Sequence, residues 1–418
     1  MRIINRNWLN FSTAMDYNQC ANVSSVLHWN YRGFTEFPLQ KLQGEEADVI
    51  DIYLKENLIS RIPSEICKLS NLESLYLSGN DITELPREIS KLRSLKCLDI
   101  SGNRLRYIPE EIADAKNLKF LILDENELKR LPLRLAELRI LRYLSVCDNK
   151  LEWLPQRPVY NYHHCEFRFW RNAAIRTIPY SLWNHMFRDQ QTRSLNIGCL
   201  HLTNSGDTSN GAYIKILDNK RKHEVTIKTP YDYETILTGD NQTPPSLFEL
   251  SKRRFYIILC DIANKLNDRP VSIYSDNHRD NVNNICVRKL EDKLDGFRIN
   301  EHSQINDING NYELNRRNQL NYIIRNRTRT YAPADIVRGY FDYLPNFIKT
   351  DLCNGPPSRC ENITCKNPVF DYAYFDFCIE KIILIDSKED VLLSAVFCSK
   401  LCADSWKSEK PALQWKLV

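Results

Sequence analysis

A series of asparagines, here called the asparagine ladder, divides part of this chain of 418 residues into units of 23 residues. In five of the units a proline follows the asparagine after six residues. The asparagines are Asn57, Asn80, Asn103, Asn126, Asn149 and Asn172, and the prolines are Pro63, Pro86, Pro109, Pro132 and Pro155. A fixed period of this length restricts the chain to a repeat architecture, in which each unit buries its apolar edge against the next.

Around each asparagine the chain reads LxxLxLxxNxLxxLPxxIxxL, most clearly over residues 72–92. We expect each unit to form one short strand and one return segment. The asparagine amide should turn inward and bond backbone groups of neighbouring units. The proline should begin a helical or 3₁₀ turn, where its missing N–H costs little. Both residue types are therefore predicted to support the fold.

This pattern is identified as the leucine-rich repeat. We count seven repeats over residues 24–187, and the two outer ones are atypical, as end-capping units usually are. Arg32 takes the asparagine position in the first repeat, and Pro179 comes one residue late in the last. The predicted fold class is an α/β leucine-rich-repeat solenoid followed by a small α+β, zinc-stabilised C-terminal module.

Outside the repeats we predict four further segments. Residues 1–23 form an N-terminal segment, and residues 188–267 contain a hairpin and then a helix docked on the end of the solenoid. The hairpin strands are 212–217 and 223–228, and the helix follows an N-cap at Ser246. Residues 268–330 are an Asn-rich, disordered insertion, and residues 331–418 are a Cys-rich module. The apolar face of the helix is predicted to comprise Leu247, Leu250, Phe255, Leu259, Ile262 and Leu266.

Six of the fourteen cysteines lie in the last module. Cys360 and Cys365 form one close pair, and Cys398 and Cys402 form another after two or three short strands, over 370–377, 381–385 and 391–397. Two pairs separated in this way are typical of a structural Cys₄ zinc site, which leaves no open position for water and so contributes folding energy rather than catalysis. The alternative is a small β-domain with incidental thiols. Cys353 and Cys378 are reserve ligands.

Composition narrows the function classes. A formal net charge of +4 is too small to indicate a nucleic-acid or membrane partner by itself. The start of the chain has no apolar leader, and no stretch is apolar enough to span a bilayer. We therefore expect a cytoplasmic or nuclear protein with reduced thiols. No phosphate-binding loop or metalloprotease motif is found, so we expect that the protein is not an enzyme.

Several segments together resemble leucine-rich repeat-containing protein 28 and its relatives. They are the repeats, the sequence that begins at Pro244-Pro-Ser-Leu-Phe-Glu-Leu, the stretch from Leu344 to Cys353, and the cysteine pairs. The resemblance covers most of the chain except the Asn-rich insertion. It implies a cytoplasmic, non-enzymatic repeat protein.

The residues between the inward leucines should form the concave face of the solenoid, because side chains of a strand alternate between its two faces. We predict that an unidentified protein partner binds there, on an apolar centre flanked by charged groups. The alternative is that these side chains only pair across strands, or are covered by later segments of the chain. The predicted binding residues are Tyr53, Tyr76, Asp99, Phe120, Ile122, Asp124, Tyr143, Asp148, Arg168 and Trp170.

The function predicted from sequence is a protein-interaction scaffold or adaptor, with a role in intracellular signalling. A ubiquitin-ligase substrate adaptor is an alternative within the same class. From another class, an RNA-binding protein would use the basic side chains of the insertion, and its RNA retention would depend steeply on salt. Those side chains are Arg316, Arg317, Arg325, Arg327 and Arg329.

Overall fold

The structure is a computed structural model that describes residues 25–42, 44, 46–160, 164–188, 212–218, 223–237, 244–267, 331–383 and 388–418. The predicted N-terminal segment 1–23 and the predicted insertion 268–330 lie outside these residues. The turn that joins the two predicted hairpin strands also lies outside them.

The repeats form a parallel sheet of seven strands in sequence order, each three residues long. From the second strand onward, each strand pairs with the next in a register of 23 residues, which is the period of the sequence. The predicted solenoid of seven repeats is therefore confirmed. The strands are β1 (Val26–His28), β2 (Asp51–Tyr53), β3 (Ser74–Tyr76), β4 (Cys97–Asp99), β5 (Phe120–Ile122), β6 (Tyr143–Ser145) and β7 (Glu166–Arg168).

The return segments contain short 3₁₀ helices. Four of these helices begin directly after a repeat proline, and the φ angles of these prolines lie between −60° and −69°. Proline suits this place because the start of a helix does not use the backbone N–H that proline lacks. The predicted role of the prolines is confirmed at these four positions. The 3₁₀ helices are Leu39–Leu42, Ser64–Lys68, Arg87–Lys91, Glu110–Asp114 and Leu133–Glu137.

The asparagine ladder connects each repeat to the one before it. The Asn103 Oδ1 accepts a hydrogen bond from the Ile82 N–H at 3.0 Å. Its Nδ2 donates to the carbonyl of Leu77, one repeat back, and to that of Ile100 in its own repeat. Asn126 repeats this arrangement one unit later and donates to the same Ile100 carbonyl. The amides thus satisfy buried backbone groups that no sheet partner reaches.

The repeats continue directly into a second sheet. After β7 the chain forms β8 (Ile178–Pro179) and α1 (Tyr180–Arg188). β8 is the edge of a four-stranded sheet in the order β11-β14-β15-β8, which contains β11 (Thr235–Leu237), β14 (Tyr372–Ile383) and β15 (Lys388–Phe397). The strands predicted over 370–377 and 381–385 are one continuous strand, β14. The leucines of the repeats and the apolar side chains of this sheet form one hydrophobic core.

The segments after the repeats also form two smaller sheets. The predicted hairpin is present as β9 (Tyr213–Asp218) and β10 (His223–Lys228), and β16 (Gln414–Leu417) pairs with the free side of β9. β12 (Ser358–Arg359) pairs with β13 (Pro368–Val369). The remaining helices are α2 (Leu247–Asn267), α3 (Pro333–Tyr340), α4 (Asn346–Asn354) and α5 (Lys400–Glu409).

The structure corrects the prediction for helix α2. The helix begins after Ser246 as expected, and the Ser246 hydroxyl accepts the Glu249 N–H. However, α2 packs mainly on α3 and β13 rather than on the end of the solenoid. Leu247 and Leu250, which were predicted to lie on the buried face, are exposed. In the first two turns the buried side chains are charged, because ionic partners in the module neutralise them.

Candidate functional site

The strands β1–β7 present alternate residues on the concave face, as predicted. In β3 the Leu75 side chain is buried in the core, whereas Ser74 and Tyr76 on either side of it are partly exposed. The ten predicted binding residues all lie on β2–β7 or in the segments that immediately follow these strands. These residues thus lie at corresponding places in consecutive repeats.

The N-terminal half of this surface is an aromatic stack. The rings of His28 and Tyr53 lie 4.9 Å apart, and those of Tyr53 and Tyr76 lie 4.7 Å apart with nearly parallel planes. Burial, together with a hydrogen bond to Cys97, raises the pKa of Tyr76 to about 12, so its hydroxyl stays neutral. Pairing across strands accounts for Tyr53 and Tyr76, which is the alternative considered from sequence.

The acidic residues of the surface are held by local partners. Asp99 accepts hydrogen bonds from the backbone and hydroxyl of Ser101. Asp124 accepts the Ser145 hydroxyl at 2.6 Å and the Cys147 N–H at 2.7 Å. Asp148 forms a salt bridge of 2.6 Å with Arg171. These contacts hold the segments that follow the strands. They also partly compensate the negative charges of the three carboxylates.

The C-terminal half contains a group of apolar side chains, of which Phe120 is the most exposed. Phe120 is 41% exposed, and it lies directly beside Tyr143 in the register of β5 and β6. Ile122 follows on the same face of β5. The Arg168 guanidinium lies 5.3 Å from the centre of the Tyr143 ring, which gives the patch a basic edge. We call Phe120, Ile122 and Tyr143 the concave apolar site.

Trp170 does not belong to this patch. It packs against the hydrophobic core, and its ring lies 4.6 Å from that of the buried Phe169. The sequence pattern placed Trp170 on the same face as Phe120, but Phe169 beside it anchors the indole to the last repeat.

The segments after the repeats contact the return side of the solenoid. The Ser394 hydroxyl donates to Gln156 at 3.0 Å, and the Trp153 indole donates to the Lys228 carbonyl at 2.8 Å. Arg338 on α3 forms a salt bridge with Asp114 in a 3₁₀ helix. Among the described residues, these contacts leave the concave apolar site uncovered.

The second candidate site is the group of four predicted cysteines. Cys360 follows β12, and Cys365 ends a tight turn in which its N–H bonds the Asn362 carbonyl. Cys398 follows β15, and Cys402 lies in the first turn of α5. The Ser399 hydroxyl caps this helix by accepting the Cys402 N–H at 3.3 Å. Local structure thus presents the pairs as the sequence predicts.

The four sulfur atoms all lie within 4.8 Å of one another. Cys398 Sγ is 3.4 Å from Cys365 Sγ and 3.8 Å from Cys402 Sγ. A disulfide would require about 2.05 Å, whereas four sulfurs at about 2.3 Å from a tetrahedral zinc ion lie about 3.8 Å apart. The cluster is therefore a group of thiols with the geometry of a metal site.

The electrostatics of the cluster favour a thiolate. Hydrogen bonds from Cys360 and the other two thiols lower the pKa of Cys398 to about 5, against the effect of burial. The pKa of Cys360 is raised correspondingly, because its proton is shared with Cys398 and its side chain is buried. The thiolate is the form of cysteine that binds metals.

The two reserve ligands lie elsewhere. Cys378 is buried on β14 in the hydrophobic core, and Cys353 lies on α4. Neither belongs to the group of four. Sequence reasoning missed Arg253, whose guanidinium on α2 donates to the Cys398 carbonyl at 2.8 Å. No motif marks this contact, because the two residues are far apart in the chain.

Two further predictions concern membranes and nucleic acids. Within the described ranges, no helix has both the length and the apolar character needed to cross a bilayer. The arginines predicted for an RNA-binding alternative belong to residues 268–330, which lie outside the described part of the chain.

Comparison with known proteins supports the repeat assignment. Residues 49–105 match the family model "Leucine rich repeat". No curated protein matches the chain.

Solved structures match parts of this chain, and three of them are described here. A leucine-rich repeat protein of Leptospira interrogans is 28% identical, and the match covers 32% of this chain and 40% of that one, with a TM-score of 0.26. The ectodomain of the receptor kinase GASSHO1/SCHENGEN3 from Arabidopsis thaliana, solved in complex with CASPARIAN STRIP INTEGRITY FACTOR 2, is 35% identical. That match covers 28% of this chain and 14% of the ectodomain, with a TM-score of 0.26.

The plant peptide hormone receptor RGFR1, in complex with RGF2, is 29% identical. The match covers 25% of this chain and 18% of the receptor chain, with a TM-score of 0.24. The present chain thus spans less than half the length of each of these three proteins.

Proposed function

We propose that this protein is a non-catalytic interaction scaffold that binds a protein partner at the concave apolar site. The observation that carries the proposal is the exposure of Phe120 beside Tyr143 on a face that the described C-terminal module leaves open. An aromatic cluster with a polar rim is characteristic of a binding hot spot. The exposed Arg168 and the partly exposed Asp124 provide polar groups for such a rim.

Burial of aromatic side chains in a partner's pocket supplies the affinity in this proposal. Truncation of a hot-spot residue typically costs 2 kcal/mol or more, which is about a 30-fold loss of affinity. The stacked pair Tyr53 and Tyr76 has a different role, since each ring already has a neighbour. It stiffens the N-terminal half of the surface.

Proximity labelling in cells tests this proposal. The chain with Phe120→Ala and Tyr143→Ala should lose the labelling of its partner, while its melting temperature changes little. The matched control is Tyr107→Ala with Ile140→Ala, since both side chains are exposed on other parts of the repeats. The proposal is wrong if the concave variant is folded and retains every partner that the wild type labels.

We further propose that the four cysteines bind zinc as a structural Cys₄ site. The sulfur separations support this identity, because they match tetrahedral coordination by four thiolates. The ion would join the turn after β12 to the start of α5, and so would hold the end of the long β14–β15 hairpin. All four positions are protein ligands, so the zinc would stabilise the module without supplying a site for a reactive water.

The same proposal assigns the protein to the cytoplasm or nucleus, where thiols stay reduced. A role in signalling, or as a substrate adaptor of a ubiquitin ligase, requires a second docking surface in addition to the concave one.

A further inference from the structure

In the first two turns of α2, charged side chains are buried and apolar side chains are exposed. In a helix on a protein surface, apolar side chains usually face the core and charged ones face water. Here Glu249, Lys252 and Arg253 are buried, whereas Leu247 is 80% exposed and both Phe248 and Leu250 are 46% exposed. In these two turns the charged side chains thus make the internal contacts, and the leucine side chains face outward.

The buried charged side chains Glu249 and Arg253 have hydrogen-bond and ionic partners. Glu249 accepts the N–H groups of Phe370 and Asp371 and forms a salt bridge with Arg253. Arg253 also donates to the carbonyls of Tyr372 and Cys398. This network connects α2 to the start of β14 and to the cysteine cluster.

Lys252 extends the network to α4. Its ammonium lies 2.7 Å from Asp351 on α4 and 2.6 Å from Asp371. It also lies 5.1 Å from the centre of the Phe248 ring. Lys252 thus joins α2 to α4, the two helices that carry the exposed apolar side chains.

The exposed apolar residues of the two helices are neighbours. Phe347 at the start of α4 is 62% exposed, and its ring lies 6.3 Å from that of Phe248. We call Leu247, Phe248, Leu250 and Phe347 the helical patch. The nearby Lys252 ammonium gives the Phe248 ring an internal contact. Leu247 and Leu250 belong to neither hydrophobic core of the described residues, so core packing does not account for them.

A charged side chain continues the helical patch along α2. Leu247, Leu250 and Arg254 are spaced at i, i+3 and i+7, so they follow one face of the helix. At 1.5 Å per residue, Arg254 lies about 10 Å beyond Leu247. Arg254 is exposed and forms no salt bridge with another described residue, unlike Lys252 and Arg253. The face is therefore apolar at its start and basic one to two turns later.

We propose that the helical patch is a second docking surface, which inserts the first turn of α2 into an apolar groove of another folded protein. The groove carries an acidic side chain about 10 Å from the pocket that receives Leu247, where it meets Arg254. Leu247 and Leu250 are the anchors, and Phe347 packs against the rim. This surface is distinct from the concave apolar site, so the protein joins two partners.

Photocrosslinking tests this proposal on the full-length chain. p-Benzoylphenylalanine replaces Leu247, which is 80% exposed, and, as a control, Tyr231, which is 64% exposed. On irradiation in cells, position 247 should form an adduct with one protein of different sequence, and position 231 should not. The crosslinked peptide should line an apolar groove that has an acidic side chain.

The captured protein is then purified and titrated with the purified full-length chain. Leu247→Ser and Leu250→Ser should each weaken binding at least about tenfold, because each removes the burial of a leucine side chain. Arg254→Glu should weaken binding and reduce its dependence on salt. Phe120→Ala with Tyr143→Ala should leave this affinity unchanged. Leu247, Leu250 and Arg254 are exposed, so their substitution should leave the melting temperature within a few degrees of the wild type.

Four results would overturn the proposal. The first is an adduct at position 247 that joins only two parts of the same chain. The second is an adduct with a second copy of the chain. The third is no adduct above the level at position 231. The fourth is a purified captured protein whose affinity does not change in the leucine variants.

Discussion

The asparagine ladder should respond to mutation as a set of coupled pairs. The Ile100 carbonyl accepts hydrogen bonds from Asn103 in its own repeat and from Asn126 in the next. Replacing one asparagine with alanine leaves this carbonyl with the other as a partner. Replacing both leaves it without either amide. We therefore predict that Asn103→Ala and Asn126→Ala are not additive.

The expected magnitudes follow from the contacts. Asn103→Ala removes the partner of the buried Ile82 N–H, which costs about 1–3 kcal/mol, and weakens the pairing of two carbonyls. We expect a loss of about 2–4 kcal/mol in the free energy of unfolding. The double variant should lose about 1 kcal/mol more than the sum of the single variants, since it also orphans the Ile100 carbonyl.

Urea denaturation followed by circular dichroism measures these free energies. Asn80→Ala with Asn149→Ala is the matched control pair, because these amides share no carbonyl, and their effects should add. Asn117→Ala, which removes one exposed hydrogen bond to the Arg93 carbonyl, should cost about 1 kcal/mol or less. The reasoning is refuted if the Asn103/Asn126 pair is additive within about 0.5 kcal/mol.

The zinc proposal and one ion pair give two further predictions. Purified protein should contain one zinc per chain by metal analysis. The Cys398→Ser variant should lose the zinc and melt at a lower temperature, whereas the Cys378→Ala variant should keep it. A wild-type chain without zinc, or one whose melting temperature does not change when a chelator is added, would contradict the site. Asp114→Asn should reduce the loss of stability between about pH 5 and about pH 3 in denaturation series, and an unchanged pH profile would contradict it. Burial raises the pKa of Asp114, but the hydrogen bonds and charge of Arg134 outweigh it and place the pKa below its usual 3.8, so this ion pair stabilises the fold above about pH 4 and is lost as the pH falls.

The repeat architecture was predictable because its determinants are local and periodic. The spacing of Asn80 and Asn103 sets the register of β3 and β4, and Pro86 marks the start of a 3₁₀ helix within the same unit. The cysteine cluster was predictable for a similar reason. Each pair is brought together by a short segment, and Ser399 signals the helix that carries Cys402.

The face of α2 was not predictable from the sequence of the helix alone. Hydrophobic periodicity assigns Leu247 and Leu250 to the core, because it counts an apolar side chain as buried and a charged one as exposed. The buried positions of Glu249 and Arg253 depend on backbone groups of residues 370–372 and 398, more than 100 residues away. Periodicity carries no information about such distant partners.

The pairing of β8 with β15 has a mechanical consequence. It makes the last repeat an edge of the C-terminal sheet, and a single core runs from the leucines of the repeats to Phe375 and Phe397. A bend between the repeats and this sheet would disrupt the shared core, so we expect the two to form one rigid unit. Two proteins held by it would have a fixed mutual orientation and a high effective concentration for each other, without any flexible tether. The geometry between bound proteins would then be set by the fold itself.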